Sequence, residues 1–370
     1  MSRRFLPARI LDRYLASQFL RYLLLALIAF VLVYAVVDLF EKLDRFIDRQ
    51  VGPLEIAFFY LLQVPYITVL VVPVAVLLSS FFSVGQLVRH NELIAMKCSG
   101  ISLYRILAPL LILGFGTSIV VLCLDELVVP RANRRKASFE RQAIEGRPPI
   151  DYSRRKNIYY YGMGGRMYYI GSFDGNRQMI RDVVIHEYTR AGAMARRIDA
   201  RAAVWSNGRW TFRDGFLRTF DEQGTELPDS SYPFSTLVIP ELQETPDDFA
   251  KREEDPAEMN FWELRHYISK LRGGGADVHK ELVELYLKTA FPFANLIILL
   301  FGAPLSSNMR HSGFALGFGA SLFVCFFYWG FIQTGRALGH NGTISPFIAA
   351  WMPNILFGAA GIVLLLKVKK

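Results

Sequence analysis

Six long stretches of this chain contain no Asp, Glu, Lys or Arg: residues 22–37, 56–88, 106–124, 289–309, 313–335 and 343–366. A helix needs about 20 mainly apolar residues to cross the hydrocarbon core of a bilayer. A soluble fold has no use for six such stretches. They predict a polytopic α-helical membrane protein with six transmembrane helices, in two groups of three. Bulk composition alone decides little, because 52% hydrophobic residues is close to what globular domains reach. The distribution decides it: charge is dense from Arg131 to Lys288 and nearly absent from long stretches on either side.

Arg3, Arg4, Arg9, Arg13 and Arg21 precede the first stretch as in a signal peptide, but no clear small-x-small site follows before Asp38. The reading is an uncleaved first helix. With the N-terminus inside, inner segments carry twelve basic residues: Arg3, Arg4, Arg9, Arg13, Arg21, Arg89, Lys97, Arg105, Arg310, Lys367, Lys369 and Lys370. The short outer loops carry four, Lys42, Arg45, Arg49 and Arg336. By the positive-inside rule both termini are cytoplasmic and the large insert is outside. Gln63, Asn295 and Gln333 are the notable polar residues within the spans, so the chain is poorly equipped for an ion-driven cycle. Pro65, Pro73, Pro292, Pro304 and Pro353 suit kinks or ordinary membrane prolines equally, and Gly313 with Gly317 suits close helix packing.

The insert reads differently. Residues 131–146 continue the third span as a polar helix. Beyond them come six β-rich runs, 158–161, 166–170, 179–188, 198–205, 209–218 and 232–239, punctuated by Gly, Asn and Asp. Asn207–Gly208 between Trp205 and Trp210 is a strong hairpin signal. Short strands at this spacing predict an all-β sandwich or jelly-roll-like domain. Residues 246–256 are acidic and read as a linker. Asn260 with Glu263 reads as a capping pair that opens a helix to Leu271, and Gly273–Gly274–Gly275 then breaks the chain. The layout is therefore 1–130 for the first three spans, 131–260 for the β domain with its linker, and 261–370 for connecting helices and the last three spans.

Several chemistries have no foothold. There is no GxxxxGK[ST] phosphate loop and no HExxH. The six histidines are scattered, and the three cysteines fit no zinc spacing. No cofactor or metal is implied. The net charge of +9 comes without a nucleic-acid motif, and suits an anionic membrane surface or substrate. A chain that moves something without an engine of its own relies on a partner for energy.

The segment between the second and third spans, "NELIAMKCSGIS" from Asn91 to Ser102, reads as a short helix that Asn91 caps and Gly100 ends. Together with "ILDRYL" at Ile10–Leu15 and "WSNGRWTFRDG" from Trp205, it resembles the permease family of the lipopolysaccharide export system, the LptF/LptG type, and the LptG half in particular. The resemblance covers nearly the whole chain. It implies a non-catalytic subunit of an ABC transporter in the bacterial inner membrane. Such a subunit pairs with a homologous permease subunit over a cytoplasmic ATPase dimer, extracts lipopolysaccharide, and passes it to a single-span periplasmic bridge protein. It implies that Glu92, Leu93 and Met96 couple to the ATPase, and that Lys42 and Arg45, with Arg336 nearby, meet the lipid phosphates. Asp38 departs from the family, which often has a base there. Two bland readings stay open: Glu92 only caps its own helix, and the three cations only snorkel to headgroups. A different function class also remains, a membrane-anchored structural or sensory subunit whose outer domain binds a partner without transport.

Overall fold

The structure is a computed structural model that describes residues 10–145, 154–162, 164–189, 193–221, 223–242, 244–250, 255–273, 276–307 and 314–367. Arg3, Arg4, Arg9, Gly274, Gly275, Arg310, Gly313, Lys369 and Lys370, all named above, lie outside these, as does position 146, the expected end of the polar helix. The chain divides into two compact units, Met1–Arg147 with Leu282–Lys370, and Pro148–Glu281.

The first unit is helical. In chain order it holds α1 (Ile10–Asp48), α2 (Pro53–Arg89), α3 (Glu92–Cys98), α4 (Leu103–Leu127), α5 (Val129–Phe139) and a π-helical turn (Glu140–Ile144). The strands and two further helices, α6 (Pro246–Ala250) and α7 (Phe261–Gly273), intervene before α8 (His279–Ser307), α9 (Phe314–His340) and α10 (Pro346–Lys367). Six of these helices are long and apolar enough to cross a membrane, one for each uncharged stretch. α1 outruns its apolar stretch at both ends. Its 39 residues span about 58 Å at 1.5 Å per residue, against a hydrocarbon core of about 30 Å.

α2 is the centre of this unit: Val72, Ala75, Val76, Val84 and Leu87 are buried. α1 lies against it through Leu15, Phe19, Leu23 and Ala26, a stripe at helical spacing. The named prolines all sit inside continuous helices. Around Pro292 the backbone is served by side-chain amides, with Asn295 Nδ2 donating to Pro292 O and Asn354 Nδ2 to Ala290 O, both at 2.8 Å. The Tyr328 hydroxyl in turn donates to Asn354 Oδ1 at 2.5 Å. Close approach explains Gly302, where any Cβ would strike Leu77 Cδ1.

In the second unit all six expected strands form: β1 (Arg154–Tyr161), β2 (Arg166–Asp174), β3 (Met179–Tyr188), β4 (Met194–Ser206), β5 (Arg209–Thr219) and β6 (Tyr232–Val238). They make one antiparallel sheet in the order β1-β2-β3-β4-β5-β6. Among the described residues this is a meander, without the Greek-key crossing of a double-sheet jelly roll. The β4–β5 hairpin turns at Asn207 (φ 51°) and Gly208 (φ 75°), with Trp205 opposite Trp210. That is the pair of positive φ values a tight two-residue hairpin requires.

One transverse line organises the sheet. Inward residues alternate along each strand and then slip by one: Ile170 to Phe173, Ile180 to Val183, Ala200 to Ala203, Phe234 to Leu237. The slips are in register. Asp182 stands opposite Gly171 and Arg201, and Asp214 opposite Arg201, by the flanking pairs. Asn157, Asp182 and Asp214, on alternate strands, take positive φ of 52–53°. A coordinated break in the pleat is a crease, and it curves the sheet around its inner face. Residues from both sides of the line, among them Ile185, Ile198, Leu217, Phe173, Ala203 and Phe212, share one core.

The acidic segment does not act as a plain linker. Phe249 of α6 is 1% exposed and packs edge-on or tilted against Tyr160, Tyr168, Phe173 and Trp210. Arg155 Nη1 donates to Phe249 O at 2.9 Å, and Thr245 donates twice to Asp248 Oδ2. α7 starts on the expected reciprocal cap: Glu263 N donates to Asn260 Oδ1 and Asn260 N to Glu263 Oε2, both at 2.9 Å.

Candidate functional site

Two ends of the helical unit carry the residues singled out from sequence. At one end, α1 finishes beside the start of α2. Asp38 and Lys42 are one turn apart on α1, the acid first, which is the favourable order on a helix. Lys42 Nζ reaches both oxygens of Asp38 at 2.9 and 2.8 Å, and the Tyr60 hydroxyl of α2 donates to Asp38 Oδ2 at 2.8 Å. Asp38 is thus the counter-ion of Lys42. The Phe59 ring carries Lys42 Nζ at 5.3 Å and Lys136 Nζ, from α5, at 5.7 Å from its centroid. Cations over an aromatic face are attracted by its quadrupole.

Arg45 lies one turn further on. Its Nη1 is 2.6 Å from Glu140 Oε1 and its Nη2 is 3.0 Å from Glu145 Oε1. Beneath it Phe46, Phe59 and Ile144 are buried together, so α1, α2 and the π-turn share a small apolar floor. Arg336 is elsewhere, on α9. It pairs with Glu284 of α8 through Nε and Nη2 at 3.0 Å, and His340 Nε2 is 3.2 Å from the same carboxylate. The structure therefore brings Lys42 and Arg45 together and gives Arg336 a cluster of its own. Every one of the three already has a carboxylate. Their side chains nonetheless remain 31%, 41% and 37% exposed.

At the opposite end α2 turns through α3 into α4. Gly100 (φ 81°) ends α3, with Gly100 N bonded to Lys97 O and Ile101 N to Met96 O at 3.0 Å. The start differs from the expectation: Asn91 sits at the cap position with φ 56°, in the left-handed region, and its side chain makes no cap bond. Asparagine tolerates that backbone better than most residues. Leu93 is buried at 5% exposure and Met96 packs on the same core, so this apolar pair anchors α3 to its own bundle. Ile94, 46% exposed, points outward, while Glu92 is half-buried on the flank of the helix. Glu92 Oε1 lies 3.4 Å from the Tyr14 hydroxyl of α1. Nearby, Arg105 Nη2 donates to Asp12 Oδ2 at 2.7 Å. The start of α1 is thus tied to both α3 and α4.

Sequence reasoning missed Ile94 and the carboxylate partners of Arg45 and Arg336. Only the Asp38–Lys42 spacing signalled its pair. The others join residues 52 to 100 positions apart.

Comparison with known proteins decides the family. The profile of the lipopolysaccharide export system permease LptF/LptG matches residues 13–367. This chain belongs to that family. It is similar to the lipopolysaccharide export system permease protein LptG of Escherichia coli K12, with 22% identity over 307 residues, 80% of each chain. It is also similar to LptG of Haemophilus influenzae Rd, with 20% identity over 292 residues, 78% of this chain and 79% of the relative. The match runs through all six apolar helices. As a member of the LptF/LptG family the chain is a multi-pass membrane permease subunit, non-catalytic in itself.

Proposed function

We propose that this chain is the LptG-like half of an inner-membrane ABC transporter that extracts lipopolysaccharide and hands it to a periplasmic bridge. The observation that carries the proposal is the family match along residues 13–367. Both termini are cytoplasmic and the β unit is periplasmic. A homologous permease subunit completes the membrane cavity, and an ATPase dimer beneath supplies the energy. Lys42 and Arg45 meet the lipid phosphates, where charge-assisted hydrogen bonds are strong. Arg336 contributes from its separate cluster. On the cytoplasmic side α3 is the handle. Glu92 reaches the ATPase from the flank of the handle, while Leu93 and Met96 hold it on the bundle. A carboxylate that meets an arginine across an interface matters most when its loss leaves the partner charge buried and alone.

Photo-crosslinking of lipopolysaccharide to α1 in the assembled complex tests this reading. Charge reversal at Lys42 and Arg45 together is expected to reduce the crosslink while assembly is retained; an unchanged crosslink would assign the cations to headgroup anchoring. Reporter fusions are expected to read outside at Gly224 and inside at Lys370. A cytoplasmic signal at Gly224 ends the transport reading. Glu92→Ala is expected to insert normally and to weaken ATPase association.

A further inference from the structure

Glu140 and Glu145 stand five residues apart. On an α-helix, at about 100° per residue, they would point roughly 140° away from each other. The segment instead makes a π-helical turn, closed by Glu145 N–H donating to Glu140 O at 2.9 Å. This wider turn brings the two carboxylates onto one side, and both meet a single guanidinium, Nη1 on Glu140 and Nη2 on Glu145. π-turns are rare and concentrate at functional positions. Here the Arg45 fork compensates for the unusual backbone by pairing with both acids at once. The three side chains are partly open, at 41%, 26% and 27% exposure, so their ion pairs are exchangeable. The turn is the last described structure before the chain enters the β unit.

A phosphate group is the natural competitor. It presents several oxygens to the planar fork in the same bidentate way as a carboxylate pair. It also repels Glu140 and Glu145, so phosphate and the closed turn cannot share Arg45. We propose that Arg45, Glu140 and Glu145 form a latch that holds the π-turn closed, and that the phosphate of a bound lipid opens it by taking the guanidinium. The proposal rests on the reading of Arg45 as a lipid-phosphate contact, and it adds a consequence: arrival of the lipid changes the connector that leads to the β unit. By linkage the effect is reciprocal. Whatever stabilises the closed turn weakens lipid binding by the same factor.

The test uses the full chain in its assembled complex in nanodiscs. Hydrogen exchange is read at the Glu145 amide, and affinity is read by titration with bisphosphorylated lipid A, dephosphorylated lipid A, or inorganic phosphate. The expected result is a roughly tenfold faster Glu145 exchange with bisphosphorylated lipid A, and no change with the dephosphorylated form. Glu140→Gln with Glu145→Gln frees Arg45, and it is expected to bind the phosphorylated lipid roughly tenfold more tightly. Arg45→Gln is expected to exchange fast without ligand and to show no further response. If phosphorylated lipid A binds with unchanged Glu145 exchange, and the double variant binds no tighter, the latch is overturned while the phosphate site stands. If neither phosphorylated lipid nor the Arg45 variant differs from its control in binding, the phosphate site fails and the latch with it. Opening by inorganic phosphate alone overturns the lipid as the occupant.

Discussion

The two units of this molecule use the same apolar side chains in opposite directions. In the helical unit Leu24, Leu25, Ile28 and Leu32 of α1, and Phe323 and Phe326 of α9, are 52–74% exposed. In the β unit aromatic side chains supply the core, and Trp210, Phe212 and Phe249 are no more than 2% exposed. Charge differs less sharply. The helical unit has half-open ion pairs, as at Asp38–Lys42 and Glu284–Arg336, and one more enclosed, Lys288–Asp125. The β unit draws a pair into its interior. Glu187, 9% exposed, lies between Arg166 Nε at 2.7 Å and Arg196 Nε at 2.5 Å. The difference teaches which solvent each unit was built for. An apolar slab leaves nothing to gain from hiding leucine and makes every exposed charge costly, whereas water drives the aromatics in and lets charge sit anywhere it finds a partner.

Substitutions that exchange the two rules are the sharpest way to break this contrast. The largest effect is expected at Phe249. Phe249→Ala removes the ring that four aromatics enclose and is expected to destabilise the β unit by about 3–5 kcal/mol. The check is limited proteolysis: cleavage between residues 154 and 250 should rise while the helical unit stays resistant. Resistance equal to wild type would make α6 an ornament rather than part of the core. Next comes the outward face of α1. Ile28→Asp should cost insertion about 2.5–3.5 kcal/mol, the range for a charge at the centre of a spanning helix. Tyr159→Asp, at a β-unit position of similar exposure (57%), should stay within about 0.5 kcal/mol. Equal penalties at the two sites would erase the distinction between slab and water.

The smallest effect is a pH dependence confined to the β unit. Burial alone raises the Glu187 carboxyl, but hydrogen bonds from Arg196 and Arg166, with their charges, outweigh it and hold the group below its usual 4.5. A carboxyl depressed in the fold contributes stability that is full above its unfolded value and is lost as pH falls through its folded value. Chemical denaturation followed by tryptophan emission is therefore expected to show the β unit weakening below pH 4.5. Glu187→Gln should flatten that slope. A slope retained in the variant would move the origin to another group.

What the sequence made legible follows from how local each signal is. The six spans, the Asn207–Gly208 hairpin and the Asn260–Glu263 cap are each written within a few neighbouring residues, and all are present. The strand limits failed in an instructive place. The first strand was expected to start at 158 and the second to end at 170, yet they run from Arg154 and to Asp174. Asn157 and Gly171 lie on the crease, where the alternation of side chains slips, and a reading based on a period of two stops there. Phe249 was hidden because a lone aromatic among acids has no period at all. Leu93 and Met96 pack together on this chain's own core, but a spacing of three could not say whether their face looked toward this chain or another. The partners of Arg45 were beyond reach for the same reason that makes them interesting: a π-turn has no sequence signature, and without it Glu140 and Glu145 do not converge.

The crease has a consequence for how this β unit tolerates change in length. Because the six strands shift phase along one shared line, the half-strands beyond it are correctly oriented only as a set. Deleting Asp182 alone would turn Val183, Ile185 and Glu187 inside out relative to their neighbours, since a shift of one residue reverses every side chain that follows. A change of length in the turn around Gly224 disturbs that turn's own bonds, Asp221 N–H to Thr225 O and Gly224 N–H to Asp221 O, and need not pass into the neighbouring strands. The crease has no such freedom: its rows, not its strands, are what must be inherited intact.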